Sequence, residues 1–342
     1  MKAFVINEIK NLSVDMRPLE SIELPEPKPE QDEIVIKVSA CGVCHTELDE
    51  IEGRTPPPKF PVVPGHQIVG KVIHTGKYVK KFKVGSRVGI GWINSSCGNC
   101  EHCLQGNDNL CNEFKATGRD VNGGYAEFTK VKENYAFDIP GFLSDAEAAP
   151  LLCAGAIGYR SLRLTNLNNN QILGLTGFGA SAHLVLKVAK YLYKDLKVFV
   201  FARSEKEREF AKELGADWTG DTDETPPEMI NSIIDTTPVW KPIVKALEFL
   251  QPGGRLVINA IRKESIDKSE LLNINYEKHL WMEKEIKSVA NVASKDISEF
   301  LEVVSRLKIK PEVELYNLED ANIALVDLKE RRIRGAKVLV IK

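Results

Sequence analysis

The segment QILGLTGFGASA, from Gln171 to Ala182, is a short apolar run followed by closely spaced small residues. The run predicts a buried strand, and the apolar residues after it recur at helical spacing, so the glycines form a strand-to-helix turn. Gly177 permits a tight turn, Gly179 lets the backbone approach a phosphate, and Ala182 is small enough for a helix to pack on a sheet. The segment therefore predicts a dinucleotide pyrophosphate at a helix N-terminus, with a glycine-rich turn that binds no ligand as the alternative.

Strands and helices alternate after this segment, which is typical of a parallel sheet with helices on both faces. The turn QPGG (251–254) separates a predicted helix from a predicted strand, and Ser204 and Glu207 predict a capping box at the start of another helix. This half of the chain is expected to form a doubly wound parallel sheet, a Rossmann domain. Its further predicted strands are KVFVFA (197–202), SIIDTT (232–237), GRLVINA (254–260) and EIKSVAN (285–291).

The N-terminal part of the chain consists mainly of β-branched runs separated by Gly, Pro and Asn, which predicts short strands and turns. The last fifty residues predict two helices and closing strands that fold back onto this part. The expected fold class is α/β, a β-rich domain joined to a doubly wound domain. The strands predicted in the N-terminal part are EIVIKV (33–38), QIVGKVI (67–73), SRVGIGW (86–92) and GGYAEFTKV (123–131).

The composition is that of an ordinary globular protein, with 43% hydrophobic and 27% charged residues. A chain of 342 residues exceeds the size at which one core keeps growing, so two domains are expected. The net charge of −2 favours neither a nucleic-acid nor a membrane partner. The start MKAFVINEIKNLS lacks the apolar core of a signal peptide, and the seven cysteines are an odd number, so we expect a cytoplasmic protein with metal or thiolate chemistry.

Four of the seven cysteines lie between Ser95 and Asn112, in a loop with little apolar content. Their spacing, C-x2-C-x2-C-x7-C, suits one tetrahedral Zn2+ that neutralises part of the thiolate charge and fixes the loop. Four thiolates fill the coordination sphere, so such a site is structural and leaves no position for a substrate. The alternative is a loop of free thiols. The four cysteines are Cys97, Cys100, Cys103 and Cys111.

Three further cysteines and a histidine are candidates for a second, catalytic metal, which needs three protein ligands and one open position. Cys41 and Cys44 lie in ACGVCHTELDE, His66 in PGHQIVG and Cys153 in PLLCAGAIGY. Sequence spacing alone does not unite residues so far apart. On the residues alone, each is more often a packing residue than a ligand.

The end of the second predicted Rossmann strand bears on the choice of cofactor. An NAD site usually has Asp or Glu there to hold the ribose hydroxyls, whereas this strand ends with Ala202, Arg203 and Ser204. A guanidinium and a hydroxyl without a carboxylate suit the 2'-phosphate of NADP(H), so NADP(H) is favoured over NAD(H). The alternative is that Arg203 is solvated and Ser204 only caps the following helix.

Taken together, these motifs resemble those of the zinc-dependent medium-chain alcohol dehydrogenases, in the same order and over essentially the whole chain. The resemblance implies a GroES-like catalytic domain at 1–154 and 293–342, with a structural zinc lobe at 95–112, and a Rossmann cofactor-binding domain at 155–292. It also implies a homodimer or homotetramer that interconverts small-molecule alcohols and aldehydes or ketones with a nicotinamide cofactor. The motifs are GVCHTEL, PGHQIVG, the four-cysteine lobe, GGYAEF, PLLCAGAIGY and GFGASA.

The same resemblance implies the roles of individual residues in an enzyme with two Zn2+ per chain. Thr46 matches the hydroxyl that receives the alcohol proton, His45 a position near the cofactor phosphates that helps shuttle protons, and Asp49 the end of that relay. Trp92 matches an aromatic wall beside the alcohol, and Ile51 a position where some enzymes of the family carry Trp. Medium aliphatic or benzylic primary alcohols are therefore expected to be preferred to ethanol. The implied catalytic zinc ligands are Cys44, His66 and Cys153.

The sequence departs from the family at two positions near the implied metal. Gln67 follows the implied zinc ligand where many members have Glu, and Asp49 stands where many have His, so the resemblance does not determine zinc exchange or the pH optimum. One alternative function is a polyol or secondary-alcohol dehydrogenase of the same superfamily. Another is a zinc-bearing, NADPH-binding redox sensor without turnover. A nucleic-acid binder that uses the zinc lobe is a further alternative, which no basic patch supports.

Overall fold

The structure is a computed structural model that describes residues 1–179, 181–330 and 335–342. Ala180, within the glycine segment, lies outside the described residues. Two compact units make up the chain: a first unit of Met1–Cys153 with Val292–Lys342, and an inserted unit of Ala154–Asn291. Among the described residues, none of the helices combines the length and the apolar character that a membrane span requires.

Strands and helices are numbered separately, each in chain order. The strands are β1 (Lys2–Val5), β2 (Glu20–Glu23), β3 (Glu33–Val43), β4 (Gln67–Thr75), β5 (Arg87–Ile90), β6 (Ile93–Ser95), β7 (Lys115–Ala116), β8 (Phe128–Lys132), β9 (Ala136–Asp138), β10 (Ile172–Thr176), β11 (Lys197–Phe201), β12 (Trp218–Gly220), β13 (Ile230–Asp235), β14 (Leu250–Ile258), β15 (Glu285–Ser288), β16 (Val313–Asn317) and β17 (Ala336–Val340). The α-helices are α1 (His45–Ile51), α2 (Glu101–Leu104), α3 (Asp145–Ala148), α4 (Ala154–Leu164), α5 (Ala182–Leu192), α6 (Glu205–Glu213), α7 (Lys241–Phe249), α8 (Tyr276–His279), α9 (Ser294–Leu307) and α10 (Ala321–Lys329). Short 3-10 segments cover Asp108–Leu110, Glu133–Tyr135, Ala149–Leu152, Lys268–Asn273 and Leu318–Asp320.

The inserted unit is built on a parallel sheet with the strand order β12-β11-β10-β13-β14-β15. This is the doubly wound order, in which the direction of strand succession reverses between the first strand, here β10, and the fourth, here β13. Every residue of β10 is buried because the strand is central in the sheet. The alternation of predicted strands with predicted helices in the sequence indicates this sheet, and the Rossmann part of the fold class is confirmed.

Two local predictions in the inserted unit are wrong. The residues QPGG do not form a turn between elements but lie within β14, where the register against β13 shifts and Gly253 has a φ of 71°. Glycine tolerates this left-handed conformation, so the strand continues past the irregularity. Ser204 is the N-cap residue of α6, but its side chain makes no cap hydrogen bond, so the capping box predicted at these described residues does not form.

The first unit contains a sheet with the strand order β16-β17-β3-β4-β5-β9, in which β8 also pairs with β3. The pairing of β17 with β3 is antiparallel, so C-terminal residues close the sheet that the N-terminal part begins. Mostly aliphatic side chains fill its core, and the aromatic Tyr125 is the largest completely buried side chain among the described residues. The unit therefore has the β-rich character expected from the sequence, and β1 and β2 form a separate two-stranded sheet in it.

Candidate functional site

Three residues that are far apart in the sequence meet in the first unit. Cys44 follows β3 and is the N-cap residue of α1, His66 directly precedes β4, and Cys153 follows the 3-10 segment Ala149–Leu152. Their potential ligand atoms, two sulfurs and one ring nitrogen, lie within 4.8 Å of one another. Because β3 and β4 are paired neighbours, the end of one strand and the start of the next deliver Cys44 and His66 to the same place.

Gly65 sets the path of the backbone into His66. It has a φ of 96°, and the ring of Tyr125 and the Sγ of Cys41 occupy the space that a Cβ would need. Cys41 itself is completely buried, and burial raises the pKa of its thiol well above the usual range. Cys41 is therefore a packing residue, and glycine at position 65 is what allows the packing.

Glu47 orients the imidazole of His66. Its Oε1 accepts a hydrogen bond from Nδ1 of His66 at 2.6 Å, and its Oε2 accepts the backbone N–H of Cys44 at 2.7 Å. With Nδ1 engaged, the ring presents Nε2, which is buried and has no hydrogen-bond partner among the described residues. A metal-binding histidine typically donates its other ring N–H to a carboxylate in this way. The unpaired Nε2 is thus suited to a metal ion.

The ionisation of the cluster favours a thiolate at Cys44. The neighbouring Cys153 thiol and the His66 ring hold the pKa of Cys44 well below its usual range, although burial opposes this. The same contact with Cys44, together with burial, raises the pKa of Cys153. Burial disfavours the charged ring of His66, but Glu47 and Cys44 together raise its pKa well above the usual range. A thiolate beside an oriented imidazole is an arrangement that attracts a cation.

Two cysteines and one histidine are the ligand set of a catalytic zinc site, in which one coordination position stays open. The hydroxyl of Thr46 lies 3.7 Å from the Sγ of Cys44. The ring of Trp92 packs edge-on against that of His66, with the ring centroids 5.1 Å apart. His45, at the first position of α1, is exposed. The structure therefore brings Thr46 and Trp92 to the cluster and leaves His45 in contact with solvent.

The roles implied for Asp49 and Ile51 stay predictions, and both side chains are buried. Asp49 is 2% exposed, and its Oδ1 accepts a hydrogen bond from Nε of Arg54 at 2.5 Å, so the carboxylate is held in an ion pair. A buried, paired carboxylate is poorly placed to end a proton relay. Ile51 is completely buried in the hydrophobic core of the first unit. Gln67 is buried too, with its side chain packed over Gly42 of β3.

The four cysteines of the lobe form a second cluster, whose Sγ atoms all lie within 4.8 Å of one another. The Sγ of Cys97 is 3.9 Å from that of Cys103 and 3.5 Å from that of Cys111. A tetrahedral zinc with Zn–S bonds of about 2.3 Å separates its sulfurs by about 3.8 Å. Backbone N–H groups of Asn99 and Cys100 lower the pKa of Cys97 to about 7. The cluster has the size that a closed four-thiolate zinc site requires.

The lobe is anchored to the C-terminal part of the first unit. Asp108, in a 3-10 segment of the lobe, accepts hydrogen bonds from the backbone N–H and the Oγ–H of Ser294, at 3.0 and 2.5 Å. Ser294 is the first residue of α9, so a lobe side chain satisfies one of the N–H groups left free at the start of that helix. Order in the lobe is therefore coupled to the stability of α9.

The glycine turn connects β10 to α5. Gly177 has a φ of 78°, and the Oγ1 of Thr236 lies 2.9 Å from the position that a Cβ would take. Ala182 is completely buried at the start of α5, as close helix packing requires. Gly179 borders open space, because a Cβ there would meet no atom within 4 Å. The turn thus has room for a phosphate beside Gly179, at the N-terminus of a helix.

The residues that the sequence connects with cofactor choice follow β11. Ala202 is buried, whereas Arg203 and Ser204 are exposed. Arg208, one turn into α6, donates from Nη1 to the carbonyl oxygens of Ala202 and Arg203, at 2.7 and 2.9 Å. A second guanidinium group is therefore held at this strand end.

Sequence reasoning missed three residues of these sites: Glu47, Glu50 and Arg208. Glu47 stands three residues after the N-cap residue Cys44, which is the spacing of a capping box, and this was the available signal. Glu50, one turn further along α1, is 1% exposed, and neither of its carboxylate oxygens has a hydrogen-bond partner among the described residues. Burial, and then the charge of Glu47, raise the pKa of Glu50 well above its usual range. The spacing of Arg208 from Ser204, one helical turn, was the signal in the third case.

Comparison with known families agrees with the two-unit architecture. Residues 30–141 match the family described as alcohol dehydrogenase GroES-like domain. Residues 182–306 match the family described as zinc-binding dehydrogenase. Both parts of the predicted fold class, the GroES-like and the Rossmann domain, are confirmed.

Relatives that match the chain over nearly its full length are alcohol dehydrogenases. The chain is 40% identical over 333 residues to a protein of Mycobacterium tuberculosis named "Probable alcohol dehydrogenase AdhA", covering 96% of this chain and 94% of that protein. It is 35% identical to an alcohol dehydrogenase of Geobacillus stearothermophilus, covering 100% and 99% of the two chains. A solved cinnamyl alcohol dehydrogenase of Sorghum bicolor has a TM-score of 0.82 at 25% identity, covering 99% of this chain and 97% of that one. The chain belongs to the zinc-dependent medium-chain alcohol dehydrogenase family.

Proposed function

We propose that the chain is an alcohol dehydrogenase that transfers hydride between primary alcohols and NADP(H), with a catalytic zinc on Cys44, His66 and Cys153. The main support for this proposal is that the ligand atoms of these three residues lie within 4.8 Å of one another, while Glu47 orients the His66 ring that provides one of them. A structural zinc in the four-cysteine lobe makes two metal ions per chain. The metal centres belong to a catalytic domain, and residues 155–292 form the domain that binds the cofactor.

Each residue at the catalytic centre has its own task. Bound zinc would supply a Lewis acid that lowers the pKa of an alcohol hydroxyl. The hydroxyl of Thr46 accepts the alcohol proton, and His45, exposed at the start of α1, passes it to water. Glu47 fixes the ring of His66, and Trp92 covers one edge of that ring and excludes water from it. Asp49 has no part in this route.

Support for NADP(H) over NAD(H) comes from the end of β11. Ala202 removes the carboxylate that would repel a 2'-phosphate, and Arg203 and Arg208 supply positive charge. The hydroxyl of Ser204 makes no cap bond and is available as a donor. A charge-assisted hydrogen bond contributes about 1.5–3 kcal/mol, which corresponds to a preference of roughly ten- to hundredfold. Two glutamates in the first turn of α6 oppose the phosphate, so we expect the lower part of that range.

Trp92 supports a preference for medium aliphatic or benzylic alcohols over ethanol. Its side chain makes the wall beside His66 aromatic and apolar, which suits an extended or planar carbon group. The cinnamyl alcohol dehydrogenase to which the chain is similar takes its name from an alcohol with an aromatic ring. Ile51 lies in the hydrophobic core and is not included in the proposed substrate pocket. A kcat/KM that peaks at ethanol and falls along the n-alcohol series would contradict the preference.

The cofactor proposal is tested by kcat/KM for NADPH and NADH at fixed ionic strength, because salt screens a phosphate contact. The wild type is expected to favour NADPH, and Ala202→Asp with Arg203→Ile is expected to favour NADH. Lys212→Ala, which removes a positive charge from the last turn of α6, is the control and should leave the ratio unchanged. A wild type that favours NADH would refute the NADP(H) assignment and leave the alcohol dehydrogenase assignment intact.

A further inference from the structure

A buried ion pair lies in the inserted unit. Asp235, the last residue of β13, is completely buried, and the side chain of Lys263, in the loop after β14, is 8% exposed. Removing two charges from water is costly, and a buried pair often contributes little to stability compared with apolar side chains of similar size. The pair therefore calls for an explanation other than stability alone.

The ammonium group of Lys263 has no free donor. Its Nζ contacts Oδ2 of Asp235 and donates to the carbonyl oxygens of Thr237 and Val239, at 2.6 and 3.1 Å. An ammonium has three N–H donors, so all three are engaged within the protein. Lys263 is thus unsuited to bind a ligand directly, and its effect is to hold the backbone that follows β13 in one shape.

The carboxylate of Asp235 ties this backbone to the neighbouring strand. Its Oδ1 accepts hydrogen bonds from Oγ1 of Thr176 at 2.5 Å and from Oγ1 of Thr237 at 2.7 Å. Thr176 is the last residue of β10, and the glycine turn follows it directly. The backbone N–H of Asn259 donates to the carbonyl oxygen of Asp235 at 2.7 Å. One ion pair therefore joins the loops that follow β10, β13 and β14.

These loops lie at the carboxyl ends of the strands where the strand order of the sheet reverses. In a doubly wound sheet a dinucleotide binds outside these ends, with one mononucleotide on each half of the sheet. The half made of β10, β11 and β12, which includes the strand end at Ala202, takes the adenosine end. The ion pair belongs to the other half, at β13 and β14, which takes the nicotinamide end.

We infer that Lys263 and Asp235 are positioning residues for the nicotinamide half of the cofactor, because they hold residues 235–239 and 259–263 in the binding shape before the cofactor arrives. The inference rests on the proposed function, in that the ligand is a nicotinamide dinucleotide. A loop that is already fixed loses less conformational freedom on binding, so affinity rises without a new contact.

The test compares the complete cofactor with a fragment that lacks nicotinamide. Dissociation constants of NADPH and of 2'-phospho-ADP-ribose are measured for the wild type and for Asp235→Asn/Lys263→Met, which replaces both buried charges with neutral groups of similar size. The variant is expected to bind NADPH about tenfold more weakly than the wild type does. It is expected to bind 2'-phospho-ADP-ribose with the same affinity as the wild type. Lys241→Met is the matched control, because Lys241 forms an exposed ion pair of 2.6 Å with Asp223 in the same unit, and it should change neither constant.

Equal weakening of both ligands, or no weakening of either, would overturn the inference. A wild type that binds neither NADPH nor NADH would instead overturn the proposed function. If the wild type prefers NADH, the same comparison is made with NADH and ADP-ribose. Hydrogen exchange of the unaltered protein gives a second test that does not depend on the variant folding. Backbone N–H groups of 235–237, 239 and 259–263 should already be protected without cofactor, and fast exchange there would contradict the inference.

Discussion

Replacing Glu47 with Gln should weaken zinc binding at the catalytic centre. The carboxylate accepts two hydrogen bonds, one from Nδ1 of His66 at 2.6 Å and one from the backbone N–H of Cys44 at 2.7 Å. A glutamine at this position would keep the shape of the side chain but lose its charge, and one of its two terminal atoms would be a donor facing a donor. Both residues that it contacts are candidate ligands, so the change acts on the metal site without removing a ligand.

The size of the effect follows from these two bonds. A hydrogen bond to a charged group contributes about 1.5–3 kcal/mol and a neutral one about 0.5–1.5 kcal/mol. The substitution makes one bond neutral, which costs roughly 1 kcal/mol, and loses the other, which costs roughly 1.5 kcal/mol. The total of roughly 2.5 kcal/mol corresponds to about a seventyfold lower zinc affinity. Loss of a carboxylate that hydrogen-bonds to a metal ligand typically lowers metal affinity about ten- to hundredfold. The loss calculated from the two hydrogen bonds lies within this range.

The assay is competition with a chromophoric chelator, with zinc per chain measured at each chelator concentration. The zinc of the four-cysteine lobe should be retained equally by both proteins and serves as an internal reference. Glu33→Gln is the matched control, since Glu33 is also nearly buried and accepts two bonds, from Lys130 and from the backbone of Glu30, but contacts no candidate ligand. If Glu47→Gln and the wild type release the first zinc at the same chelator concentration, Glu47 does not support the metal site.

Cys100→Ser should remove one zinc per chain and lower the thermal midpoint by at least about 4 °C, because the lobe also anchors α9 through Asp108. The value of kcat should change little. A variant that keeps its stability and loses only the chemical step would refute the structural role. Trp92→Phe should move the kcat/KM optimum of the n-alcohol series to longer chains because it leaves more room beside His66, and an unchanged optimum would remove Trp92 from the pocket. Lys337 holds the pKa of Glu314 below its ordinary value of 4.5, so their ion pair stabilises the fold above that pH and loses its effect as the pH falls through the lowered pKa. Urea unfolding should therefore show that Glu314→Gln lowers the free energy of unfolding at pH 7 by roughly 1 kcal/mol and by less at pH 3, and an equal loss at both pH values would contradict the pairing.

The sequence was sufficient to predict the inserted sheet because several local signals agree there. Gly177 and Ala182 mark the turn, and apolar runs of strand length alternate with helical periodicity around them. The prediction failed at QPGG because pairing with β13 continues through a glycine that adopts a left-handed conformation, and tertiary pairing overrides the turn signal. It failed at Ser204 because the spacing of a capping box does not determine side-chain orientation.

The candidate metal site could be predicted only in part from the residues themselves. Pairing of β3 with β4 brings Cys44 and His66 together, and the 3-10 segment Ala149–Leu152, which contacts both strands, brings Cys153 to them, so only the family resemblance connected the three residues in the sequence. The burial of Ile51 could not be predicted because apolar residues at the end of a short helix face the core as readily as a pocket, and sequence alone does not separate the two. The ion pair of Asp49 could not be predicted because its partner, Arg54, lies in the loop after α1, where no periodicity predicts contacts.

Cys44, His66 and Cys153 are proposed to hold the metal ion at which hydride transfer takes place. The most direct measurement is single-turnover oxidation of NADPH by benzaldehyde with Cys153→Ala, with zinc per chain and NADPH affinity determined on the same sample. We expect the variant to hold one zinc per chain, to bind NADPH as the wild type does, and to transfer hydride at least about a thousandfold more slowly. Wild-type turnover by a variant that holds one zinc per chain would refute the assignment of these three ligands.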